Sequence, residues 1–254
     1  MTERRRRAAV LAVRAAILAG LALAWEWLGR AGGGFFLPPL TLTLGHLAAM
    51  ALNGTLGTAL LTSNAALGIG LPVSILVGVP AGLLLGRRRL LDRAFSYWLD
   101  VALVIPMIAV VPAIIVALGL TLTARVAVVM LFALPVIALN ARAAVRLIDV
   151  DLTEMARSFC ARPLQVWTKI ILPAALGPLF GGLRLGLARG ISGMIVVELT
   201  LIPAGIGGLI SGYRSRFAAA DLYAATLTIV LEGVVLIAVV QLLEGRLARR
   251  LAGL

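Results

Sequence analysis

Six long apolar runs punctuate the chain, and each is about as long as a helix must be to cross the hydrocarbon core of a bilayer, about 20 residues. They occupy residues 8–28, 65–86, 99–119, 124–141, 177–199 and 222–243. Between them the longest connections, residues 29–64 and 142–176, are too short to hold a separate soluble domain. The expected fold class is therefore all-α integral membrane, one domain over residues 1–254 with about six transmembrane helices. Composition agrees: 61% of residues are hydrophobic, 13% are charged, and the mean hydropathy is +1.07. A water-soluble body of this make-up would face solvent with large apolar areas, which soluble monomers rarely do. A soluble enzyme is excluded.

Charge and rare residues close further classes. The net +12, from 23 Lys and Arg against 11 Asp and Glu, would suggest nucleic acid only if the basic residues were gathered on a polar module. They lie instead in small clusters beside the apolar runs, so no nucleic-acid partner is expected and the bilayer itself is. A single cysteine, Cys160, and a single histidine, His46, allow neither a disulfide framework nor a Cys/His zinc set. No metal site is predicted, and His46 reads as structural. A GxxxxGK[ST] phosphate loop is missing from the sequence, so ATP is not expected to bind this chain by that route.

The flanking charges set an orientation. Arg4 to Arg7, then Arg87, Arg88, Arg89 and Arg93, then Arg142, Arg146, Arg157, Arg162 and Lys169, then Arg246, Arg249 and Arg250 share one side when six spans alternate; Arg30, Arg125, Arg214 and Arg216 fall on the other. By the positive-inside rule both termini and the loop after Arg142 are cytoplasmic. Trp25 and Trp27 are placed at the outer interface, Tyr97 and Trp98 at the inner one. The first run also carries a competing reading, since four arginines, an apolar core and Ala22-Leu23-Ala24 resemble a cleavable signal peptide. Its length, with Arg14 able to snorkel, favours a retained helix. Gly32 to Pro39 reads as a turn, and Leu40 to Leu61 as an outer, partly amphipathic stretch.

Inside the spans, three features stand out. Gly70, Ser74, Gly78, Gly82 and Gly86 in the second span, and Gly182, Gly186 and Gly190 in the fifth, recur every four residues along one helix face and invite close approach of a neighbouring backbone. Tight packing and a sliding surface both fit that pattern. Pro106, beside Met107, and Pro112 break the hydrogen-bond ladder of the third span, which must then be covered by protein or water; pathway lining and plain kinking remain open. Arg189 and Glu232 fall near mid-depth, where charges are rare and paired or cavity-facing. An Arg189–Glu232 ion pair and contact of Arg189 with an anionic solute are the two readings. Glu198 lies toward the outer end of the fifth span, before Pro203 and Gly205-Ile206-Gly207-Gly208.

The loop over about residues 149–173 is the most specific segment. Asp151-Leu152-Thr153-Glu154 predicts a helix start of capping-box type, running to about Ala161 and stopped by Pro163. A second short helix is expected from Leu164 to Ile171, ending at Leu172-Pro173. Helices this short are marginal in water, so a docking partner is expected. The spacing Glu154-Met155-Ala156-Arg157-Ser158-Phe159-Cys160, nine residues, then Ile170-Ile171-Leu172-Pro173 resembles the EAA loop of bacterial ABC importer permeases. Leu37-Pro38-Pro39, Val104-Ile105-Pro106, Gly182-Leu183-Arg184, Val197-Glu198 and Gly205-Ile206-Gly207 extend the resemblance to the nitrate/sulfonate/taurine branch.

That resemblance implies a type I importer transmembrane domain in the bacterial cytoplasmic membrane. Glu154, Ala156, Arg157, Phe159, Cys160, Leu164, Ile170, Leu172 and Pro173 would then form the coupling element for a separate ATPase subunit, with Glu154 at the helix start or on a basic partner and Phe159 and Leu164 offering apolar contact. Two permease chains, identical or paralogous, and two ATPase subunits would assemble, fed by an extracytoplasmic solute-binding protein. ATP and Mg would sit on the ATPase, and this chain would hold no cofactor and no catalytic residue. Pro106, Met107, Pro112, Arg189, Glu198 and Glu232 are the pathway candidates, and the solute a small anion such as a sulfonate, nitrate or carboxylate. Two departures are present: Met155 replaces an alanine, and Cys160, expected as a small apolar filler, stands where the family has glycine. The rival reading is an ATP-independent channel or secondary carrier, which would need a polar relay through several spans.

Overall fold

The structure, a computed structural model, describes the backbone of residues 3–252; the side chains of residues 3, 4, 7, 157 and 247–252 lie outside the described residues. Among the described residues the regular structure is helical. Helix α1 (Glu3–Ala31) is followed by α2 (Leu40–Leu52), α3 (Thr55–Arg87), α4 (Arg89–Val104), α5 (Met107–Leu118), α6 (Leu122–Arg146), α7 (Val150–Ser158), α8 (Pro163–Val166), α9 (Leu172–Thr200), α10 (Gly205–Ser215) and α11 (Ala219–Ala252). Five of them are long and apolar enough to cross a bilayer, and α4 with α5 makes a sixth candidate bent by 97° at its break.

The core is a slab of three helices with α6 in the middle. Small residues make it possible: a methyl group added at Gly70 would sit 2.8 Å from Val129 Cβ, and one at Gly86 would sit 2.7 Å from the Arg142 carbonyl oxygen. At Gly82 it would run into the Ala138 carbonyl. On the other face of α6, Gly182 and Gly186 of α9 lie against Asn140 and Ile137, and Gly193 lies on the Phe132 ring. The successive matches show α3 running parallel to α6 and α9 running antiparallel to both. That order is the one alternate threading requires. Ala66, Leu67, Val129, Leu187, Ile191 and Met194 fill the space between the three helices. The four-residue spacing of small side chains thus does what close packing needs.

Several sequence expectations are corrected here. The second span begins earlier than residue 65, because α3 starts at Thr55 and runs without a break through Pro72 and Pro80. The stretch from Leu40 to Leu61 is accordingly a separate helix α2 plus the first turns of α3. The third span is not one kinked helix: it stops at Val104, and Pro106 caps a new helix. Pro112, expected to kink it further, sits inside α5 without ending it and is exposed. The reason is local. Ile105 adopts φ −59 and ψ 127, the extended conformation that a following proline imposes, whereas at Pro112 the chain keeps its helical course.

The first helix packs on the bundle only near its end. Trp25 Nε1 donates to the Pro38 carbonyl at 3.0 Å, and Glu26 accepts from the Thr41 amide at 2.9 Å, capping α2 from outside it. The lone histidine is structural, its Nδ1 lying 2.7 Å from Asp221 Oδ1 and joining α2 to α11.

Candidate functional site

The segment from Asp149 to Pro173 forms one end of the molecule. Helix α7 begins two residues earlier than the capping-box reading has it, starting at Val150, and Asp149 Oδ1 accepts from the Asp151 amide at 3.1 Å. Glu154 therefore stands in the second turn, exposed and without a partner among the described residues, and it does not hold the helix start. Ala156 is buried beneath the helix. The Arg157 side chain lies outside the described residues.

The helix ends in a left-handed cap. Cys160 has φ +55, and the Ala161 amide reaches back to the Ala156 carbonyl at 3.0 Å, the six-to-one bond of a Schellman motif. Glycine is the usual residue at that position because it carries no Cβ. The left-handed turn forms here with cysteine at that position. Cys160 is exposed, so it is not a core filler. After it Pro163 opens α8, and the helix then continues where a stop was expected. Residues Trp167–Ile171 are π-helical, with the Leu172 amide bonded to the Trp167 carbonyl, and α9 follows directly. Pro173 has no N–H to give to Lys169, and the wider π turn absorbs that loss without a break.

Along this segment large apolar side chains face outward. Phe159 is 82% exposed and Leu164 73% exposed, with Met155 beside them also open. Ile170 and Pro173 are half-buried, Leu172 is exposed at the rim, and Val166 is buried. Sequence reasoning missed two contacts here, one that fixes the segment to the bundle and one that braces the bundle beside it. The Arg87 guanidinium lies 4.8 Å from the centroid of Trp167, a cation–π contact between the end of α3 and the π turn. Asp92 is buried and accepts from both Arg142 and Arg146, fastening the start of α4 to the end of α6. The arginines had been legible only as topology markers.

Near the middle of the bundle the helix break opens a cavity of about 450 Å³, lined by the Ile105-Pro106-Met107-Ile108 turn, by Phe132, Pro135 and Val136 of α6, and by Arg189 and Val196 of α9. Pro106, Met107 and Arg189 are thereby brought together. Pro112, Glu198 and Glu232 are not among its lining residues. The expected Arg189–Glu232 pair does not form. Glu232 accepts from Asn64 Nδ2 at 2.6 Å, on the face of α11 turned toward α3, while Arg189 is exposed to the cavity side. Equal depth on two helices does not imply facing side chains. Arg184, nearer the start of α9, pairs with Glu244.

At the far end of α9 lies a site that the sequence marked only by Glu198 and a glycine run. Glu198 is wholly buried. Its Oε2 accepts from Ser63 Oγ at 2.7 Å and from the Gly207 amide at 3.1 Å, and its Oε1 lies 3.4 Å from an Arg125 guanidinium nitrogen. Ser63 in turn accepts from the Ile206 amide at 2.9 Å, and Arg125 donates to the Thr62 carbonyl at 3.1 Å. The first amides of α10 are thus capped by side chains of α3 and α9. Gly205, at φ +58, is strained by any substitute: a Cβ there would collide with Ser63 Oγ and sit 2.8 Å from Glu198 Oε1. The signal for this site was the pairing of a membrane glutamate with a glycine run seven residues on; its partners Ser63 and Arg125 carried none.

With this geometry in place, the chain was compared with known proteins. Residues 74–253 match the family described as binding-protein-dependent transport system inner membrane component. The riboflavin transport system permease protein RibX of Chloroflexus aurantiacus is 35% identical over 161 residues, which is 63% of this chain and 60% of that protein. The taurine transport system permease protein TauC of Escherichia coli is 27% identical over 213 residues, 82% of this chain and 74% of the relative. Among solved structures, an inward-facing form of the MetNI methionine ABC transporter superposes with a TM-score of 0.59 at 22% identity, covering 78% of this chain and 97% of its own. That likeness concerns the fold.

Proposed function

Because the chain belongs to the family of binding-protein-dependent transport system inner membrane components, we propose that it is the membrane-spanning permease subunit of an ABC importer. It forms the solute pathway and hydrolyses nothing itself; ATP and Mg belong to a separate ATPase subunit, two copies of which serve two permease chains, identical or paralogous. An extracytoplasmic binding protein delivers the solute, a small organic or inorganic anion such as a sulfonate, nitrate or carboxylate. The end carrying Arg87, Arg142 and Arg162 faces the cytoplasm, as do both termini, and the membrane is the bacterial inner one.

One observation carries this reading: an ordered helix, closed by a left-handed turn at Cys160, holds Phe159 and Leu164 out of the chain's own core. Exposed apolar residues on a segment rigidly tied by Trp167 and Ala156 are suited to a partner's groove and to the transmission of force. The test is copurification. Glu154→Arg and Phe159→Asp should each leave the permease in the membrane while the ATPase subunit is lost and uptake abolished, the second by placing a charge in an apolar groove. Full retention of the ATPase with normal uptake in both variants would remove the main support.

A further inference from the structure

Arg189 is the cation of the cavity at the α4–α5 break and has no acceptor among the described residues. None of the other residues lining that space is ionisable; Glu232 lies outside it, its Oε1 bonded to Asn64, and Glu198 is engaged by Ser63, Gly207 and Arg125. A guanidinium left unpaired at this depth is costly unless something else meets it. Its planar fork suits an oxyanion such as a carboxylate, sulfonate or phosphate. Met107 and Ile108, which open α5, line the same wall, and the start of a helix favours negative charge.

The remainder of the wall is of a different character. Phe132, Pro135, Val136 and Val196 give an apolar surface, and at about 450 Å³ the cavity is within the size range of sites for organic molecules, about 300–1,000 Å³. A water's share of liquid is about 30 Å³, so a bare four-atom oxyanion would leave most of the space to be filled by water against apolar walls. Resting on the permease reading above, we infer that Arg189 is the solute-facing cation of the pathway and that the solute is an organic oxyanion with an apolar body, its head on Arg189 and its body against Phe132 and Val196.

The experiment needs no knowledge of the physiological solute. In the full chain, assembled with its ATPase and with Cys160→Ser, Met107→Cys places a thiol in the cavity wall. Its thiolate attacks a methanethiosulfonate, forming a mixed disulfide and releasing methanesulfinate. Rates are measured with the anionic sulfonatoethyl reagent and the cationic trimethylammonioethyl reagent, each normalised to its rate with free 2-mercaptoethanol. The anionic reagent should be favoured at least tenfold, Arg189→Gln should abolish that preference, and Arg189→Lys should keep most of it. Benzenesulfonate should protect the thiol, whereas nitrate at equal concentration and ionic strength should not. No charge preference, or a preference unchanged in Arg189→Gln, overturns the role of Arg189; protection by nitrate equal to that by benzenesulfonate overturns the organic body. Retention of the ATPase in the same preparation reports on the permease reading separately, so the two can fail apart.

Discussion

At the Glu198 end of the bundle a carboxylate is wholly buried and both of its oxygens are engaged by groups from α3, α6 and α10. At the Asp149–Pro173 end, large apolar side chains such as Phe159 and Leu164 stand in the open. Each end inverts the ordinary rule for where its residues belong. A buried charge that is fully partnered ties separate elements of one chain together, because removing any partner strands the rest. An exposed apolar cluster ties nothing within the chain, and its energy is realised only when another surface covers it. Substitutions at the first end should therefore cost folding, and substitutions at the second should cost assembly.

The largest effect is expected at Glu198. Replacing it with alanine leaves Ser63, the Gly207 amide and Arg125 without their acceptor, and breaking a buried pair of this kind costs about 3–5 kcal/mol. The purified permease should show a lowered thermal unfolding midpoint and a poor yield. Glu198→Gln keeps an oxygen for the α10 amides and should cost about 1–2 kcal/mol, the range of single hydrogen bonds to charged groups. Equal midpoints for Glu198→Ala and wild type would break the comparison at its first term.

Gly205→Ala comes next. A left-handed backbone costs a non-glycine residue about 1–3 kcal/mol at such a site, and the added Cβ must also push Ser63 or Glu198 aside. Loss of about 2–4 kcal/mol is expected from the two together. A sharper form pairs this variant with Ser63→Ala, which removes the collision but also a cap. If Gly205→Ala were as stable as the wild type, the first turn of α10 would not be set by this network.

How much of this was legible in the sequence follows from how local each signal is. The spans could be read because hydropathy is a property of a single run, and the short helix of residues 150–158 because its start and stop signals are close in sequence. Prolines were harder: Pro72, Pro80, Pro112, Pro135 and Pro178 lie inside helices, whereas Pro106 stands at a sharp break. Whether a proline bends or breaks a helix depends on what covers the freed backbone, and that is tertiary. Arg189 and Glu232 do not meet, because the direction each faces is set by the rotation of α9 and α11, which hydropathy does not encode. The Glu198 network joins residues separated by up to 143 positions, and its hydroxyl and arginine look ordinary where they stand. The replacement of glycine by cysteine at position 160 was visible, but that the turn persists regardless was not.

At that cysteine the effect should reverse sign. Left-handed backbone costs an L-residue about 1–2 kcal/mol, while glycine adds about 0.4–1 kcal/mol of unfolded-state entropy. Cys160→Gly should therefore stabilise the turn by roughly 0.5–1 kcal/mol. Slower amide exchange at Ala161, whose N–H closes the cap on Ala156, is the measurement; faster exchange would mean that the cap is held by something other than its backbone conformation.

The smallest effect on folding is expected from Leu164→Asp, and it is the most direct test of the contrast. Leu164 is 73% exposed on the first turn after Pro163 and buries almost nothing within the chain. Surface substitutions away from caps and buried networks stay within about 0.5 kcal/mol, so the permease alone should melt at an unchanged temperature. In the assembled transporter the same carboxylate would be forced into an apolar contact or would hold the partner away. A partner that binds only the folded permease raises its apparent stability by mass action, and the variant should forfeit that increment. Melting curves of permease with and without excess ATPase subunit then separate the possibilities. A shift on adding ATPase that is equal in variant and wild type would mean that Leu164 stands outside the interface. A drop in the midpoint of the permease alone would mean that this end, like the other, is held by its own side chains.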